Sequence, residues 1–77
     1  MTEKEALNIV GEYFAAVEHC GFILTTLEVN PEIYKSLRGS KQIDNDRLWS
    51  AKLIVSERPG LQFCSVREVL NPREMTM

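Results

Sequence analysis

Few residues in this 77-residue chain are of the kinds that do chemistry. It has one histidine, one tryptophan and two cysteines. Cys20 and Cys64 stand far apart with no Cys-x-x-Cys, which is neither a zinc pattern nor a disulfide framework. His19 adjoins Cys20, but neighbours on a helix point about 100° apart, so the pair cannot bond as base and nucleophile. The four glycines (11, 21, 39 and 60) are isolated and cannot form a phosphate-cradling loop. No serine sits in a nucleophile-elbow context. Asp44-Asn45-Asp46 begins like a calcium loop, yet Arg47-Leu48-Trp49 follows where further ligands and a glycine are needed. An Asx-rich turn before a strand is the simpler reading. No stretch approaches the ~20 apolar residues of a membrane span, and Thr2-Glu3-Lys4-Glu5 is charged, unlike a signal peptide. The expectation is a soluble cytosolic protein with reduced thiols, no cofactor, no metal and no catalytic role.

Strong charge of one sign is also missing. The net charge is −2, which gives no general attraction to nucleic acid or anionic lipid. Residues 1–35 hold six acids against two bases, and residues 36–77 hold five acids against seven bases, so the halves carry −4 and +2. The content of hydrophobic residues, 44%, is that of a folded chain. A domain this small buries only about 60% of the surface its unfolded chain exposes, so its core is thin and a partner or second copy is expected to support it.

The pattern along the chain specifies elements. Thr2 and Glu5 form a capping box, after which Ala6, Leu7, Val10, Tyr13, Phe14 and Val17 recur at helical spacing on one face. Gly21 is a natural stop. Phe22 to Val29 reads as a strand, with Ile23, Thr25, Leu27 and Val29 on one side. Asn30-Pro31 starts a short helix to Arg38, because Asn caps free amides and Pro at the first position gives up no needed donor. Residues 40–46 read as a polar loop. A second strand places Trp49, Ala51, Leu53 and Val55 on one face, and after the Pro59-Gly60 turn a third strand spans Leu61 to Arg67. The expected fold is α+β in the order α-β-α-β-β. Its mixed three-stranded sheet joins strands one and two in parallel and strands two and three as an antiparallel hairpin, with both helices on one face. Residues 1–70 form the domain and residues 71–77 a frayed tail. Ile23, Leu27, Leu53 and Val55 are the expected core.

Beyond that physics, residues 27–58 resemble one region of the major capsid proteins of HK97-type tailed phages. The likeness is carried by Val29-Asn30-Pro31, Tyr34 and Leu37, Leu48-Trp49, and Leu53-Ile54-Val55-Ser56-Glu57. Ser50 and Lys52 stand where that pattern usually has Gly and Pro. The resemblance implies the small peripheral lobe of a capsid subunit, standing alone, in a protein of phage or prophage origin.

The expected function is therefore protein–protein contact. One form is a structural or assembly module that self-associates as a homodimer or larger; the other is a phage regulator docking on a host or phage protein. Exposed sheet edges favour either, since a partner can extend them. The expected contact residues are Lys41, Asp44, Asp46, Arg47 and Lys52, on the loop and the rim of the second strand. Trp49 among Arg38, Lys41 and Arg47 also raises single-stranded nucleic-acid binding as an outside alternative.

Overall fold

Capping chemistry sets both helices. In the computed structural model, which describes residues 1–75, α1 runs Glu3–His19. Thr2 Oγ1 accepts from the Glu5 amide at 3.1 Å, and the Glu5 carboxylate accepts from the Thr2 amide at 3.4 Å. Gly21 at φ +86° turns the chain out of the helix. Helix α2 is Pro31–Leu37, and Asn30 Oδ1 accepts from the Ile33 amide at 2.7 Å.

Among the described residues the sheet has five strands: β1 Ile23–Val29, β2 Ile43–Asp44, β3 Arg47–Leu48, β4 Ala51–Val55 and β5 Cys64–Leu70, in the order β2-β3-β4-β1-β5. The α+β class holds. β1 and β4 are parallel, as expected, with Leu27 beside Leu53 and Val29 beside Val55. The helices supply Ala6, Val10, Phe14, Ile33 and Leu37 to a core completed by Leu24, Leu27, Val29, Leu48, Ala51 and Leu53. α1 touches α2, β1 and β5, and α2 touches β4.

Three expectations need correction. The sheet is not three-stranded: residues 43–48 form a small hairpin inside the expected loop, its turn made by Asn45 at φ 51° and Asp46 at φ 63°. Two residues of positive φ fit the right-handed strand twist, and Asn and Asp tolerate that conformation. The last strand pairs with β1, not with β4. The β2–β3 hairpin explains this, because β3 already occupies the free edge of β4 through Arg47 beside Lys52 and Leu48 beside Ala51. Residues 56–63 instead cross the end of β1 and deliver β5 to its far side.

The third correction concerns the core. Leu27 and Leu53 are fully or nearly buried, whereas Ile23 and Val55 are 37% and 42% exposed. β1 does not keep a strict two-residue period. Its register against β5 shifts on either side of Thr26, so Leu24 faces the helices before the irregularity and Leu27 and Val29 after it. Trp49 is 49% exposed and is not a strand residue; with Ser50 it makes the turn between β3 and β4, at φ 54°. Its ring packs edge-on against Phe14 with centroids 4.9 Å apart, and its Nε1 donates to Gln42 Oε1 at 2.8 Å. The residues expected as a tail begin with a 3-10 turn, Pro72–Met75, opened by the Arg73 amide donating to Asn71 Oδ1 at 3.0 Å. Residues 76 and 77 lie outside the described residues.

Candidate functional site

The helix-free face of the sheet carries a continuous row of side chains. Register neighbours run Asp44, Arg47, Lys52, Thr26 and Glu68 across all five strands. Three of the five expected contact residues, Asp44, Arg47 and Lys52, therefore meet in one row, and all three are exposed. The other two diverge from it. Asp46 turns toward α2, where its carboxylate accepts the Tyr34 hydroxyl at 2.7 Å and its backbone carbonyl accepts the Leu53 amide at 2.7 Å. That bond to Asp46 holds the Tyr34 phenol above its usual range, because ionisation would place two negative charges together. Lys41 is exposed in the turn before β2. Arg47 lies directly opposite Lys52, and neither forms an ion pair among the described residues.

Beside this row is a polar cluster that the sequence did not single out. Glu28 faces away from the helices but is only 7% exposed. Arg58 Nη2 donates to its carboxylate at 2.6 Å, and Arg67 Nη1 stands at 4.0 Å. A bond from the Ser56 hydroxyl, then the Arg58 guanidinium, hold the Glu28 carboxyl below the usual carboxylate range. The cluster fastens the β4–β5 connection to β1. So do the Ser56 amide on Val29 O at 2.8 Å, Asn30 Nδ2 on Gln62 O at 2.6 Å and the Asn30 amide on Phe63 O at 2.9 Å. Only the pairing of Glu28 with bases some thirty and forty positions away hints at this in the sequence, and that needs the topology.

The third feature is apolar. A shallow groove of about 430 Å³ lies along α1 between Ile9, Glu12, Tyr13, Ala16 and Phe63. Next to it runs β5, bonded to β1 on one side and, among the described residues, to no strand on the other. Phe63, Val66, Val69 and Leu70 on this strand and its lead-in are each 37–40% exposed. Val66 pairs with buried Leu27 and Val69 with buried Leu24, so both point to the helix-bearing face. α1 leaves them incompletely covered. β2, the opposite edge, is only two residues long.

Among the described residues, no group of three or more His, Cys, Asp or Glu could hold a metal ion, and no helix is long and apolar enough to cross a membrane. Cys20 is exposed and Cys64 is buried, both as free thiols. No known protein family, curated protein or solved structure matches the chain.

Proposed function

We propose that this protein works through protein–protein contact and not through catalysis, with the β5 edge and the adjoining α1 groove as its contact surface. The observation that carries the reading is the concentration of half-exposed Phe63, Val66, Val69 and Leu70 on and just before seven-residue β5, whose outer edge pairs with no strand among the described residues. An edge of this length offers a partner a row of free backbone groups, and apolar side chains beside it supply the burial that makes such pairing stable. The assembly-module form of this reading draws on the likeness of residues 27–58 to a capsid lobe; the regulator form needs only a docking partner. Both use the same surface.

The test compares the purified protein with a tagged copy in concentrated cell extract, both sized by light scattering. Elution above monomer mass in either sample, returned to monomer mass by Val66→Lys with Val69→Lys, supports the proposal. Monomer mass in both, or a larger species that the double variant leaves unchanged, contradicts it.

Nucleic-acid binding through the open face has one observation in its favour, the facing cations Arg47 and Lys52. Against it, the one tryptophan packs edge-on against Phe14 of α1 and is not among them. A salt-dependent shift of a single-stranded oligonucleotide, lost in Arg47→Ala with Lys52→Ala, is the result that would revive it.

A further inference from the structure

Arg47 of β3 and Lys52 of β4 stand directly opposite one another on the helix-free face, both exposed, and neither forms an ion pair among the described residues. Like charges at such a cross-strand position repel. The nearest acid in their row, Asp44, lies on the far side of Arg47 from Lys52. A second excess of positive charge adjoins this pair. Arg58 and Arg67 stand 2.6 and 4.0 Å from the one Glu28 carboxylate, and their side chains remain 56% and 53% exposed. One carboxylate thus serves two guanidinium groups of five N–H donors each, which leaves donors to spare. Ile54, 36% exposed, lies between the two pairs, two residues from Lys52 and beside Glu28 in register. We propose that this face is a second docking surface, separate from the β5 contact, and that it receives an acidic segment of another protein. The partner's carboxylates sit on Arg47 and Lys52 and on the spare donors of Arg58 and Arg67, with an apolar residue on Ile54.

Charge complementarity selects that occupant. A carboxylate has two oxygens, and side chains directly opposite on neighbouring strands start only about 5 Å apart. One partner carboxylate can therefore accept from Arg47 and Lys52 together, turning their repulsion into two attractions. The layer behind the sheet has the other sign: α1 and α2 carry five glutamates against two lysines. An acidic partner is repelled from the helices and steered to the open face. A nucleic-acid backbone fits less well. It brings a charge with every nucleotide, whereas Asp44 and Glu68 close the row at its two ends and Glu28 stands in the middle. Its bases also need aromatic side chains to stack on, and none of the register residues in these rows is aromatic. Separate carboxylates interleaved with apolar residues match both the charges and Ile54.

The experiment uses the whole chain and three fluorescent probes read by anisotropy at low salt. They are a peptide of repeated Glu-Glu-Leu-Ser, its Lys-Lys-Leu-Ser counterpart and a single-stranded oligothymidine of equal charge to the first. The expected result is that the glutamate peptide binds tightest and loosens as salt is added. Arg47→Gln with Lys52→Gln is expected to raise its dissociation constant by at least about tenfold. Lys35→Gln with Arg38→Gln, exposed bases on and just after α2, leaves it unchanged, and so does Val66→Lys with Val69→Lys, so this surface and the β5 contact fail separately. Lys52→Glu adds a readout of the free protein: removing the like-charge pair should raise Tm while weakening the peptide. No binding of the glutamate peptide, or an equal loss in the two glutamine double variants, overturns the proposal. Tighter binding of the oligothymidine overturns it as well and gives the face to phosphate.

Discussion

Asn30 does three things at once. Its side-chain oxygen caps α2, its side-chain nitrogen holds Gln62 O, and its amide holds Phe63 O. Replacing it with Ala is expected to cost about 1–2 kcal/mol from the cap alone, read as a lower denaturant midpoint. Asn30→Asp keeps the cap acceptor and loses the Gln62 bond, so it should fall between Ala and the parent. Glu28 gives a pH dependence of definite sign. Its carboxyl titrates below the ordinary 4.5 because Ser56 and Arg58 stabilise the charged form. The stability it contributes is therefore fully present above the ordinary value and is lost as pH falls through its lowered folded value. Thermal unfolding followed from pH 6 downward should drop less steeply in the acid range for Glu28→Gln than for the parent. The two thiols should also differ. Burial pushes Cys64 up to about 11, so at neutral pH it should resist iodoacetamide while exposed Cys20 is alkylated, a difference that intact-mass spectrometry resolves.

Elements were legible from the sequence in proportion to how local their signals are. Thr2 with Glu5, Gly21 and Asn30-Pro31 carry their geometry within three residues, and both helices lie where those residues put them. The apolar stripe of α1 is also as read: Ala6, Val10 and Phe14 are buried, with Leu7, Tyr13 and Val17 packed against them. The strands depended on information that is not local. The β1 irregularity near Thr26 exists only against β5, so a two-residue period could not show that Leu24 replaces Ile23 in the core. The β2–β3 hairpin has strands of two residues each, too short for any alternation, and only the turn chemistry of Asn45 and Asp46 betrayed it. Missing that hairpin also misplaced β5, because it hid the fact that the outer edge of β4 was taken. The consequence is measurable by denaturant unfolding. Leu27→Ala or Leu53→Ala should cost about 2–5 kcal/mol, whereas Ile23→Ala and Val55→Ala, at half-exposed positions, should cost about 1 kcal/mol or less.

At the scale of the whole molecule, the two edges of the sheet are unequal. One ends in a two-residue strand; the other is seven residues long, apolar at both ends and charged only at Arg67 and Glu68. The contact residues expected from the sequence fall mostly on the open face, where Asp44, Arg47 and Lys52 line up, while the more apolar surface lies at the opposite end of the sheet. The sequence could raise edge extension as an idea, but not say which edge: that depends on β5 crossing to the far side of β1. The core, about a dozen buried apolar side chains among the described residues, is thin, and a strand added at β5 would cover apolar side chains that α1 leaves exposed. The pairing of β5 also makes a claim about a single proton. The Val66 amide faces the free edge, so in an isolated chain it meets solvent and against a strand added there it is bonded. Hydrogen exchange at that amide, followed by NMR in dilute solution, in concentrated solution and in concentrated cell extract, tests this most directly. Fast exchange in dilute solution that becomes slow in concentrated solution or in extract is the predicted result. Fast exchange in all three, with the amides of β1 and β4 protected, would contradict it.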